Sequence, residues 1–115
     1  MAKTSKTRIS QFFDASVAAG ATDTQTSAIV PTGKAVEIKV FGGSVPDGFN
    51  AVVALQWGSA GGGFTTIRAV QREIEFANLG QFVGDGIKRF RLVRINRSAA
   101  AAVLVGWLEA IVHDA

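Results

Sequence analysis

Cysteine is absent from the 115 residues, which excludes disulfides and thiolate metal sites. Such a composition is compatible with a cytosolic setting. Tyrosine is missing too, and histidine occurs once, at His113, so no His-rich or His/Cys cluster exists for a metal. Charge is scarce: 18% of residues are charged against 48% hydrophobic, with a formal net charge of +3. That balance argues against disorder, because there is apolar surface to bury and little self-repulsion. It also falls below the usual share for a free soluble surface, which points to partial coverage by a partner. Long apolar runs are lacking as well. The nearest, "AAAAVLVGWLEAIV", contains Glu109 and is too short to span a bilayer. The basic start, "MAKTSKTRISQFF", has no apolar stretch ahead of a small-residue cleavage site and does not read as a secretory signal. A soluble protein is expected, with no membrane partner.

What is present reads as strands. Residues 1–9 carry Lys3, Lys6 and Arg8 with no acid before Asp14, and are expected to form a basic, extended N-terminal arm; residues 10–115 are expected to form one domain. After the turn "PTGK", Val36, Ile38 and Val40 alternate with Glu37 and Lys39, the period of a half-buried strand. The stretch "GGSVPDGFN", residues 42–50, reads as a loop. In "AVVALQWG", Val53, Leu55 and Trp57 share one face and Val52, Ala54 and Gln56 the other. A strand apolar on both faces belongs in mid-sheet or at a subunit contact. Residues 64–77 give one long strand or two joined by a bulge. "GDG" marks a turn, and Val103, Val105, Trp107 and Ile111 share one register of a closing strand. Seven or so strands between Gly-rich loops, without βα alternation, predict an all-β sandwich or barrel.

The stretch "IKRFRLVRINR", residues 87–97, holds Lys88, Arg89, Arg91, Arg94 and Arg97, with no acidic residue between Gly86 and Leu108. Uncompensated guanidinium groups suit phosphates or carboxylates. In extended geometry Arg89, Arg91 and Arg97 share one parity, and Lys88 and Arg94 the other, so they make no single stripe. Phe90 and Leu92 share one parity while Val93 and Ile95 share the other, which predicts a bulge or twist near Leu92–Val93. Stacking aromatics are few. The reading therefore favours a protein surface and solubility over nucleic acid. Lys3, Lys6, Arg8, Trp57, Arg89, Arg91, Arg94 and Arg97 are the candidate protein-interface residues. Trp57 and Trp107 read as core or inter-subunit anchors before sugar platforms.

Catalysis finds no support in the sequence. Glu73 and Glu75 fall on one side of a strand, but no nucleophile–base pair stands out. "GKAVEIKV" lacks the glycine loop and the Ser/Thr after Lys34 that cradle phosphates, and "GSAGGG" leads into a strand rather than a helix. No enzyme activity, cofactor, metal site or catalytic residue is expected.

Laid out as strands, "TSAIVPTGKAVEIKVFGG", "VALQWG", "GDGIKRFRLVRINRS" and the Ala-rich final strand resemble the small β-sandwich, jelly-roll-like structural proteins of tailed bacteriophages, over about three quarters of the chain. The resemblance implies an antiparallel, jelly-roll-like β-sandwich of seven to eight strands. It implies a virion structural protein, either capsid-decoration (cement) or otherwise head- or tail-associated, made in the host cytoplasm and located in the virion. Expected partners are phage capsid or tail proteins and further copies of the chain, with a trimer favoured by the analogy. Two other classes remain open: a nucleic-acid-binding module using residues 87–97, and a carbohydrate-binding module using Trp57 or Trp107.

Overall fold

Period-two alternation runs through most of the chain, and a computed structural model, which describes residues 7–115, forms strands and turns from it with no helix among them. The strands are β1 (Thr7–Phe13), β2 (Ser16–Val17), β3 (Thr22–Thr26), β4 (Lys34–Ser44), β5 (Ala51–Ser59) and β6 (Gly63–Val70). They continue with β7 (Ile74–Ala77), β8 (Gln81–Val83), β9 (Arg89–Asn96), β10 (Ala102–Val103) and β11 (Val105–Asp114). Seven of the eleven have five residues or more; the others are short edge or corner pieces.

Two sheets face each other. One runs β1-β11-β4-β7, with β8 also on β4; the other runs β3-β9-β5-β6, and β10 and β2 form a small ribbon. All pairings are antiparallel, and one set of them is nested: β1 with β11, β2 with β10, β3 with β9, β4 with β7 and β8, β5 with β6. Such nesting is one long hairpin rolled up on itself, with β7 and β8 together in one position. The fold is a jelly-roll sandwich.

The core lies between the sheets. Val36, Ile38 and Phe41 of β4 and Leu108 and Ala110 of β11 meet Val53 and Leu55 of β5 and Phe90 and Leu92 of β9. β5 sits between β9 and β6 and is buried on both sides, as its two apolar faces require.

Several local expectations are corrected. Thr7, Arg8 and Ile9 are paired in β1 rather than lying in an arm, because Ile9 packs against the core; Lys3 and Lys6 fall outside the described residues. In β4, Ile38 pairs with Ala110 and Val40 with Glu109, leaving Lys39 as the extra residue of a bulge. The bulge turns Val40 to the outer face and brings Phe41 into the core. Gly42 and Gly43 continue β4 instead of opening a loop. A Cβ on Gly42 would lie 2.1 Å from the Trp107 ring, so that ring occupies the space a side chain would take. Residues 64–77 do form two strands, but β6 and β7 belong to opposite sheets and are joined across residues 71–73. The core face of the closing segment is Leu104, Gly106, Leu108 and Ala110; Val105, Trp107 and Ile111 are only half-buried on the other side.

Near Leu92–Val93 no bulge occurs. β9 pairs in unbroken register with both β3 and β5. No irregularity is needed, because Val93 is buried on the outer side between Thr24 and Ala54 while Arg94 takes the inner side.

Candidate interaction site

Strict alternation along β9 decides which cations meet. Phe90, Leu92 and Arg94 point inward, so Arg89 and Arg91 emerge together on the outer face of the second sheet. Arg91 stands opposite Gln56 and Thr26, and Arg89 opposite Gly58, which in turn pairs with Phe64. Gly58 must be glycine, since a Cβ there would lie 2.1 Å from the carbonyl oxygen of Gly63. That close approach sets the start of β6, and with it Phe64, tightly beside Gly58.

Arg91 is held in place. Its Nε and Nη2 donate to Gln56 Oε1 at 2.9 and 2.7 Å, and its guanidinium carbon sits 3.9 Å from the Phe64 ring centroid. Gln56 is oriented in turn by donating from Nε2 to Thr66 Oγ1 at 3.2 Å. Arg89 is half-buried, and its Nε has no hydrogen-bond partner. Arg89, Arg91 and Phe64 line a depression of about 610 Å³ with Thr24, Thr26 and Ser59, and no acidic side chain lines it. Among the described residues, neither Arg89 nor Arg91 takes part in an ion pair.

An apolar concavity of about 400 Å³ adjoins the depression, sharing Ser59, Ala60 and Arg89 with it. Ile29 and Ile87 face it, and they are 43% and 58% exposed. The turn that presents Ile87 is organised by Asp85, whose Oδ1 accepts from the backbone N–H groups of Ile87 at 3.1 Å and Lys88 at 2.9 Å. The Ile87 N–H, chiefly, holds the Asp85 carboxyl below its ordinary range. A lowered carboxyl pKa stabilises the folded turn above the ordinary aspartate range, and that support is lost as pH falls through the lowered value. In an NMR titration, the Ile87 and Lys88 amide shifts should therefore move together with a midpoint below that of an unperturbed aspartate. A midpoint at or above the ordinary value would remove the role given to Asp85.

The remaining candidates lie elsewhere. Arg94 is 1% exposed and is not a surface residue: its terminal amino groups donate to Ala15 O, Leu104 O and the Asp23 carboxylate, while its Nε–H is buried without a partner. Trp57 faces inward as well, 4.6 Å from Phe90 and 5.4 Å from Phe82 between ring centroids, so it anchors the core rather than an interface. Arg8 is exposed on the outer face of the other sheet, 3.7 Å from Glu109. Arg97 is exposed at the far end of β9, where its N–H bonds to Asn50 O at 2.8 Å. Phe64, Gln56, Ile29 and Ile87 escaped the sequence reading. The parity shared by Arg89 and Arg91 was the available signal, but only strand pairing reveals what stands beside them.

No family model matches the chain, and no curated protein matches it. Among solved structures, it is similar to one described as "Crystal structure of PirA", at 14% identity over 100% of this chain and 95% of that one, with a TM-score of 0.30. A likeness at that level carries no argument about fold or function.

Proposed function

We propose that the protein is a structural subunit of a phage virion, a capsid-decoration (cement) or other head- or tail-associated component that acts by protein–protein contact. Jelly rolls serve capsids and lectins alike, so the fold by itself selects neither. The observation that carries the reading is the concavity flanked by outward-facing Ile29 and Ile87, beside two guanidinium groups with no acid at hand. Apolar anchors next to unpaired charge suit a protein surface better than a small substrate. Val83, at 67% exposed, and Phe12, at 59%, add further apolar surface for contacts between copies or with a lattice.

Nucleic-acid binding would call for a continuous row of cations. Arg94 inside the sandwich and Arg97 at the opposite end of β9 interrupt any such row. For sugar binding, Trp57 is turned into the core, and Trp107 lies over Gly42.

Purified phage particles decide the matter. The protein should band with intact particles in a density gradient at a fixed copy number, and its absence from washed particles would overturn the proposal. In isolation, light scattering should report a homo-oligomer, with a trimer expected. A monomer over a wide concentration range would remove self-association while leaving attachment to a lattice in place.

A further inference from the structure

We propose that the outer face around Arg89, Arg91 and Phe64 binds the carboxylates of an extended acidic segment of a partner protein, with one apolar residue of that segment seated between Ile29 and Ile87. The inference rests on reading the protein as a docking subunit and adds the chemistry of what it docks on.

Spacing comes first. Arg89 and Arg91 are alternate residues of one strand, so their Cα atoms stand roughly 6–7 Å apart along it. Alternate side chains of an extended guest repeat at the same interval, which lets two carboxylates meet two guanidinium groups without bending either chain. Availability comes second. A guanidinium carries five N–H donors, and Arg91 uses Nε and Nη2 on Gln56, leaving Nη1 wholly unused in the described contacts. The Phe64 ring covers one face of the Arg91 guanidinium and, with Gln56, fixes its orientation before any ligand arrives. Arg89 supplies a buried Nε–H with no acceptor. That Nε is enclosed, so the donors open to a carboxylate in the depression are the terminal amino groups of Arg89, which take part in no ion pair among the described residues, and the hydroxyls of Thr24, Thr26 and Ser59 surround the same space.

The apolar neighbour narrows the ligand class. A phosphate polymer gains little from Ile29 and Ile87, whereas a polypeptide can place a leucine-sized side chain there while its acids lie against the arginines. Charge complementarity then orients the guest along the face. Free carboxylates in solution share the arginine chemistry but lack the anchor, so they should bind far more weakly.

The test is an NMR titration of the full-length, ¹⁵N-labelled protein with three probes. One is a synthetic octapeptide with glutamates at alternate positions and a single leucine, the second is its glutamine counterpart, and the third is an eight-residue oligothymidylate. The acidic peptide should shift the amides of Thr24, Thr26, Phe64, Ile87, Arg89 and Arg91 and leave the opposite sheet unmoved. Affinity should fall about tenfold or more for the glutamine peptide, for Arg89→Gln and for Arg91→Gln, and it should fall with added salt. The spectrum of each variant away from the site reports that it is folded. No shift with the acidic peptide, shifts elsewhere, equal binding of the glutamine peptide, or tighter binding of the oligothymidylate at physiological salt would each overturn the inference. Peptide binding by a protein missing from particles would sink the virion reading alone. A particle-bound protein that ignores the peptide would sink this inference alone.

Discussion

Arg94→Ala should lower the stability of the fold by about 3–4 kcal/mol, the largest loss expected from any single arginine here. Arg94 lies on the inner face of β9, opposite Val53 and Asp23, where a hydrophobic residue would normally stand. Its Nη1 donates to Ala15 O at 2.6 Å and Leu104 O at 2.8 Å, its Nη2 to the Asp23 carboxylate, and its guanidinium carbon sits 3.9 Å from the Phe13 ring centroid. One side chain thus ties the segment after β1, the link between β10 and β11, and β3 to the centre of the second sheet. Removing it opens a cavity and strips two carbonyl groups of their donor, and both effects cost free energy. Half of the Asp23 side chain is open to solvent, at 52% exposure, so the ion pair itself is the smaller share. Asp23→Asn should accordingly cost about 1 kcal/mol or less. Arg94→Met, which keeps much of the volume and the contact with Phe13, should fall between the two. Urea denaturation measures all three. If Arg94→Ala stays within about 1 kcal/mol of the parent, the arginine is not what holds these segments together.

The same residue shows where sequence reading stops. Parity along "IKRFRLVRINR" separated Arg94 from Arg89 and Arg91, and that separation is what β9 displays. β9 needs no bulge because Arg94 stands in a core position on its inner face. Its acceptors, Ala15 O and Leu104 O, lie 79 and 10 positions away in the chain, and nothing local announces them. Local chemistry was legible where it acts locally: the turn at Asp85, the strand after Gly33, the two-faced β5. Val53, Leu55 and Trp57 were correctly placed on one face, but which face looks inward depends on the opposite sheet. Val40 misled because a single inserted residue, Lys39, reverses the alternation, and that bulge is recorded only in the pairing with β11. At the candidate site, Arg89 and Arg91 could be grouped from parity. Phe64 joined them only because the nested pairing sets β6 beside β5 and β5 beside β9.

Gly106→Val should cost about 3 kcal/mol, the upper end of what overpacking does to a filled core. Gly106 and Gly43 are directly paired on the inner face of the first sheet, and together they leave a notch into which Val53 of the opposite sheet projects. A Cβ on Gly106 would lie 2.7 Å from Phe13 Cε1 and 3.0 Å from Val53 Cγ1, while one on Gly43 would lie 3.0 Å from Val53 Cβ. The obstruction is therefore the packing of two sheets and not the backbone of Gly106, which is ordinary strand. Phe13 is the softer neighbour, being half-buried, but moving it takes its ring off the Arg94 guanidinium, so the strain spreads to the other anchor of the fold. The smaller change Gly106→Ala isolates the contact. On its own it should cost about 1–2 kcal/mol, reduced by the better strand propensity of alanine. Val53→Ala alone should cost about 2 kcal/mol through the space it leaves. Combined, the two should lose less than their sum by about 1 kcal/mol or more, because the new methyl group fills the room the valine vacates. Equilibrium denaturation of the parent, both single variants and the double variant closes the cycle. Strict additivity would mean that Val53 does not occupy the notch, and that the two sheets keep their distance for some other reason.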